Sequence, residues 1–103
     1  EYYAQRASAG LIIAEATAFS QQGAGWFQAP GIWSDEMIDA WKLIVDAVHA
    51  KGGKIFLQLW HMGRQGHSDV LKERPVSASE IPLTQPITAR FGEKKDPEVP
   101  RAL

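Results

Sequence analysis

An α/β fold built on a parallel strand–helix–strand crossover is what the sequence predicts, on three observations. A short apolar run rich in β-branched residues occupies 10–17. A stripe of 3.6-residue period follows it from Met37 to Val48, closed by a pair of glycines. An alternating run, KIFLQLW at 54–60, then begins at once. A strand leaving and re-entering a sheet in the same direction needs a crossover of about this length, right-handed by strong default.

Taken in order, residues 1–8 (EYYAQRAS) place Tyr3 and Ala7 on one helical face, with Tyr2 and Arg6 beside them, so the sequence predicts the last two turns of a helix. Gly10 opens the first run, GLIIAEAT, read as a strand buried on both faces. Period two puts Ile12, Ala14 and Ala16 on one side and Leu11, Ile13 and Glu15 on the other. Ala14 and Ala16 serve tight packing or leave room for a ligand edge near Ala16. Glu15 is expected to be a structural carboxylate held by a cation or by backbone donors.

The stretch 18–33 is a long loop rich in Gly, Gln and aromatics, a length that in a compact fold usually carries function. Trp26 and Phe27 at its tip are either a pocket wall or the loop's own small core. Ser34 is an N-cap candidate, and Asp35 and Glu36 suit the positive end of a helix dipole. The stripe Met37, Ile38, Trp41, Ile44, Val45 and Val48 makes Trp41 a core residue, His49 a solvated one, and Gly52–Gly53 the stop.

In the strand at 54–60, Ile55, Leu57 and Leu59 share one face, and Phe56, Gln58 and Trp60 the other. A buried Gln58 amide between two aromatics requires a polar network or a ligand. Trp60, His61 and Arg64 cluster at the strand's C-terminal end, which is where α/β proteins collect ligands. From Gln65 onward the prolines and polar clusters predict mostly loop, with an extended piece at 75–79 and a new helix starting at Pro100. Such an excursion fits the mouth of a larger barrel.

Composition narrows the class. With 45% hydrophobic and 22% charged residues the chain is globular, and 11 basic against 12 acidic residues leave no footprint for nucleic acid. There is no cysteine, hence no disulfide or thiolate metal site, and no apolar run approaches a membrane span. A soluble, cytoplasmic protein without metal is expected, and its oligomeric state is not encoded in any pattern. The chain starts at Glu1 and stops at Leu103 without caps, which reads as an internal piece of a longer protein.

Four ordered blocks, YYAQRASAGLIIAEAT, PGIWSDEMIDAWKLIVDAVHAKGG, IFLQLWHMGR and RPVSAS, strongly resemble the Old Yellow Enzyme family of flavin-dependent ene-reductases. The resemblance implies that residues 1–103 are part of a (β/α)8 TIM barrel: the end of helix 1, strand 2 at 10–17, helix 2 at 34–51, strand 3 at 54–60 and a long following loop. It implies FMN as cofactor, with Ala16 approaching the flavin through its backbone and Gln58 hydrogen-bonding the pyrimidine edge. Trp60 would lie beside the substrate face and Trp26 in the pocket, where relatives more often have tyrosine. His61 and Arg64, in an HxGR element, would support the strand end. The implied activity takes hydride from NADPH and reduces the C=C bond of an activated alkene. The histidine–histidine or histidine–asparagine pair and the tyrosine of that chemistry are absent from this chain, so it holds no catalytic residue and is expected to be inactive alone. Two other readings are a dienoyl-CoA reductase-like barrel flavoprotein and an aromatic-rich binding module using Trp26, Trp33 and Trp60.

Overall fold

The computed structural model describes all 103 residues. Its centre is the expected crossover. Strand β1 (Ile12–Ala18) leads through the long loop into helix α1 (Asp35–His49), which returns to strand β2 (Ile55–Trp60), parallel to β1. The Ser34 hydroxyl caps α1 by accepting from the Met37 N–H at 3.4 Å. At the other end Gly52, at φ +75°, takes the left-handed conformation that lets the chain turn into β2. The core lies between helix and sheet, where Ala7, Ile12 and Val48 pack with Tyr3 and Ile55. Trp41 is buried as its place on the stripe predicts, whereas Ile38 is exposed. His49 is exposed.

Several expectations are corrected. Residues 1–8 form no α-helical end but a single 3-10 turn, Ala4–Arg6. So short a segment yields too few i→i−4 bonds to offset nucleation, and i→i−3 bonds from Arg6 and Ala7 replace them. β1 is not buried on both faces. Ile13 is 64% exposed while Ile12 is buried, because nothing among these residues covers the face away from α1. For the same reason Gln58 is exposed rather than buried, alongside a Phe56 that is 65% exposed.

β1 also carries a bulge. Ile13 pairs with Phe56, but the next partners are Ala16 and Gln58, so Ala14 and Glu15 together stand opposite Leu57. Paired residues of parallel strands point the same way. The bulge therefore moves Ala16 and Ala18 onto the open face, with Ile13, Phe56, Gln58 and Trp60, instead of the helix side that simple alternation assigns to Ala16. Side chains satisfy the bulged residue. The Tyr3 hydroxyl accepts from the Glu15 N–H at 3.0 Å and donates to Glu15 Oε1 at 2.9 Å, while the buried Thr17 hydroxyl donates to the Glu15 carbonyl at 2.9 Å. Glu15 is thus held by a tyrosine, not by a cation.

The segment after β2 holds more structure than its composition predicts. A short helix α2 (Ser68–Leu71) precedes β3 (Val76–Ser77), the hairpin of β4 (Ile87–Thr88) with β5 (Lys94–Lys95), and β6 (Arg101–Ala102). The extended piece expected at 75–79 is present as β3. The helix expected from Pro100 is instead β6, paired parallel to β3 through Arg101 N–H to Pro75 O at 2.7 Å and Leu103 N–H to Ser77 O at 3.0 Å. Proline at 100 suits a strand beginning as well as a helix beginning, and an available edge at β3 decides between them.

A radius of gyration of 16.1 Å exceeds the roughly 13 Å of a closed domain of about 100 residues. Only 18 of the 103 residues are buried, so the chain is an open layer of strand and helix and not a closed core. No helix is long and apolar enough to cross a membrane.

Candidate functional site

The site forms where the C-terminal ends of β1 and β2 meet the loop at 19–33. Ala16 and Gln58 are direct partners across the two strands, and Ala18 and Trp60 are the next same-face pair. A methyl group opposite a carboxamide leaves a low, flat surface with one polar tip. No side-chain hydrogen bond within the chain engages the Gln58 amide, which leaves its donor and acceptor available.

The loop is fastened so that it hangs over this surface. Its far end runs back along β1, with Ala18 N–H donating to Pro30 O at 3.0 Å and Ile32 N–H to Ala18 O at 2.9 Å. Its near end is tied to the end of β2 by Met62 N–H to Gly23 O at 3.1 Å. Trp41 secures it from below, its indole N–H donating to the Gly31 carbonyl at 3.1 Å in a buried bond. Gly31 is required by contact, since a Cβ there would overlap the Trp33 ring. Held this way, Trp26 lies at the loop tip, 53% exposed.

Two adjoining depressions result. One, of about 370 Å³, is walled by Ala16, Trp26, Phe27, Ala29 and Trp60. The other, of about 210 Å³, is lined by Ala16, Gln58, Leu59 and Trp60. All four residues singled out in the sequence, Ala16, Trp26, Gln58 and Trp60, therefore converge, with Ala16 and Trp60 shared between the depressions. Trp26 and Phe27 are both pocket wall, and Phe27 also packs on the exposed Phe91 with ring centroids 4.6 Å apart, so the loop tip forms no small core of its own. His61 and Arg64 serve structure. The His61 Nδ1 accepts from Gly63 N–H at 3.0 Å, its ring lies tilted against Phe19 with centroids 5.6 Å apart, and Arg64 donates to Ile81 O at 3.1 Å.

Sequence reasoning missed Ala29 and Pro30 as wall residues and Met62 behind Trp26. The apolar run around Pro30 carried a signal only for a turn. For Met62, the reach of the loop back to Gly23 has no local pattern.

The surface fits a flat heteroaromatic ring with a polar edge. A carboxamide matches alternating N–H and C=O groups, a methyl beneath it allows close approach, and two indoles bound the adjoining space. Residues 1–101 match the NADH:flavin oxidoreductase / NADH oxidase family. Among curated relatives, 12-oxophytodienoate reductase 7 of Oryza sativa is 50% identical over 93 residues, covering 88% of this chain and 23% of that protein. For 12-oxophytodienoate reductase 2 of Arabidopsis thaliana the identity is 48% over 85 residues, 80% of this chain and 23% of that protein. Among solved structures, the old yellow enzyme homologue from Zymomonas mobilis superposes with a TM-score of 0.90 at 55% identity, over 99% of this chain and 28% of the other. Morphinone reductase gives a TM-score of 0.87 at 45% identity, over 99% and 29%. The chain thus spans about a quarter of the length of the curated relatives it matches. These solved neighbours are TIM barrels, and the sequence now described belongs to the Old Yellow Enzyme family of NADH:flavin oxidoreductases.

Proposed function

We propose that these 103 residues supply one sector of the flavin and substrate site of an FMN-dependent ene-reductase that uses NADPH to reduce activated alkenes such as α,β-unsaturated carbonyls. In this reading β1, α1 and β2 are strand 2, helix 2 and strand 3 of the barrel. The observation that carries it is the Ala16–Gln58 pair, set by the bulge on an open face at the strand ends and flanked by Trp26 and Trp60.

When bound, FMN would supply the redox chemistry, accepting hydride from the nicotinamide and returning it to the β-carbon of the alkene. This chain's own part is binding and orientation. Gln58 would hold the pyrimidine edge through its amide, Ala16 would let the backbone approach the ring, and Trp26 and Trp60 would confine the substrate and exclude water. Proton donation and binding of the substrate's carbonyl oxygen fall to residues outside this stretch, so the 103 residues alone are inactive. The working partner is a small molecule in the cytoplasm, neither nucleic acid nor membrane.

The test is anaerobic spectroscopy on the full-length protein that contains this chain. It should purify with oxidised FMN absorbance, bleach on adding NADPH, and regain colour on adding an enone. A colourless protein whose spectrum is unmoved by added FMN would refute the proposal, and iron–sulfur absorbance would point to the dienoyl-CoA reductase-like alternative.

A further inference from the structure

Met62 lines neither depression of the candidate site, yet it stands directly behind their wall. A crevice that Met62 borders is also bordered by Ala16, Trp26, Ala29 and Trp60, the residues that wall the larger depression. The free space in this crevice is only about 10 Å³, roughly the room of one water molecule, and no charged side chain lines it. The thioether and the indole are therefore packed almost to closure. Two contacts seat the loop on the same residue. Met62 N–H donates to Gly23 O at 3.1 Å. Gly25, immediately before Trp26, lies so close that an added Cβ would stand 2.8 Å from the Met62 Cβ and 2.9 Å from its Cγ. The Trp26 indole N–H has no hydrogen-bond partner within the chain, so within these residues packing alone places the ring.

We propose that Met62 is a positioning residue for substrate specificity: without touching substrate, it sets how far the Trp26 indole stands into the space that it bounds with Trp60. The inference rests on the ene-reductase reading and deepens it by naming what limits the bulk of the alkene accepted. Of the residues that share the crevice with Met62, Ala16 and Trp60 are held in paired strands, whereas Trp26 is carried by a loop and is 53% exposed, so Trp26 is the one that yields. A filled crevice admits no added volume, and a larger side chain at this position must drive the indole into the depression. A smaller one opens room into which the indole withdraws. Methionine suits the place, since an unbranched thioether adapts to the irregular gap between the loop and the end of β2.

The experiment uses the full-length flavoprotein and two enones, cyclohexenone and cryptone, the second being the same ring carrying an isopropyl group. The readout is the ratio of kcat/KM for cryptone to that for cyclohexenone. It is expected to rise on the order of tenfold in Met62→Ala and to fall by a similar factor in Met62→Phe, the scale on which pockets discriminate small apolar groups. The change should sit in KM and not in kcat, because Met62 reaches no reacting atom. Met62→Leu nearly conserves volume and should keep the wild-type ratio. A merely structural methionine would instead lower activity on both enones alike. A ratio unmoved in Met62→Ala and Met62→Phe, or shifted the same way in both, overturns the positioning role, as does loss of FMN from both variants. In each of those cases a wild type that binds FMN and reduces cyclohexenone leaves the proposed function standing. A wild type that reduces neither enone refutes the ene-reductase reading, and the role of Met62 with it.

Discussion

Removing one hydroxyl, by Tyr3→Phe, should loosen the bulge that turns Ala16 toward Gln58. The Tyr3 hydroxyl makes two bonds to Glu15, one to its N–H at 3.0 Å and one to its carboxylate at 2.9 Å. Net contributions of about 0.5–1.5 kcal/mol each, discounted because Glu15 reaches water, give a loss of about 1–2 kcal/mol. The phenol's pKa is raised, mainly by burial and then by its hydrogen bond to the Glu15 carboxylate and the charge beside it. A raised folded-state pKa stabilises fully below the unfolded value and ceases to do so as pH rises through the folded one. The difference between wild type and variant should therefore be full at neutral pH and shrink above the ordinary tyrosine range. Denaturant unfolding of the full-length protein, followed by far-UV circular dichroism at neutral and strongly alkaline pH, reads both effects. Flavin release should also be faster in the variant, because the strand-end register is less firmly held. Equal midpoints at neutral pH, or a difference that grows with alkalinity, would refute this account of the bulge.

Trp41→Phe keeps a ring in the core but strips the buried Gly31 carbonyl of its indole donor, and should cost about 1–3 kcal/mol in the same unfolding assay. Gly31→Ala drives a methyl into the Trp33 ring, so it should cost about 1–3 kcal/mol and raise KM by displacing the loop that carries Trp26. Glu98→Ala removes the carboxylate that accepts from both the Ser68 N–H and the Ser68 hydroxyl at 2.7 Å. The expected loss is about 1–3 kcal/mol, and faster hydrogen exchange around 68–71 and 96–101 should accompany it.

The crossover was legible because its signals are local: the Ser34 cap, the stripe through Trp41 and Val48, and glycine at the turn into β2. The convergence of Ala16, Gln58 and Trp60 follows from their places at strand ends and that of Trp26 from its place at the loop tip, and the family resemblance names all four. What remained hidden depends on partners distant in sequence. The bulge exists only relative to β2 and is satisfied by Tyr3, twelve residues before Glu15, so alternation alone put Ala16 on the wrong face. β3 and β6 are two residues each, and Val76 meets Arg101 across a gap in which no period runs. A strand apolar on both sides predicts a buried Gln58. That inference assumes a cover that these residues do not themselves provide.

The proposed flavin site stands or falls on Gln58. In the full-length protein, Gln58→Leu keeps the side chain's size while removing its donor and acceptor, so loss of two hydrogen bonds of about 0.5–1.5 kcal/mol each should weaken FMN binding by roughly tenfold or more. Fluorescence titration of the apoprotein with FMN measures it directly. Weakened binding, with the fold intact by circular dichroism, is the predicted result; an FMN affinity and flavin reduction potential identical to wild type would contradict the placement of Gln58 at the flavin edge.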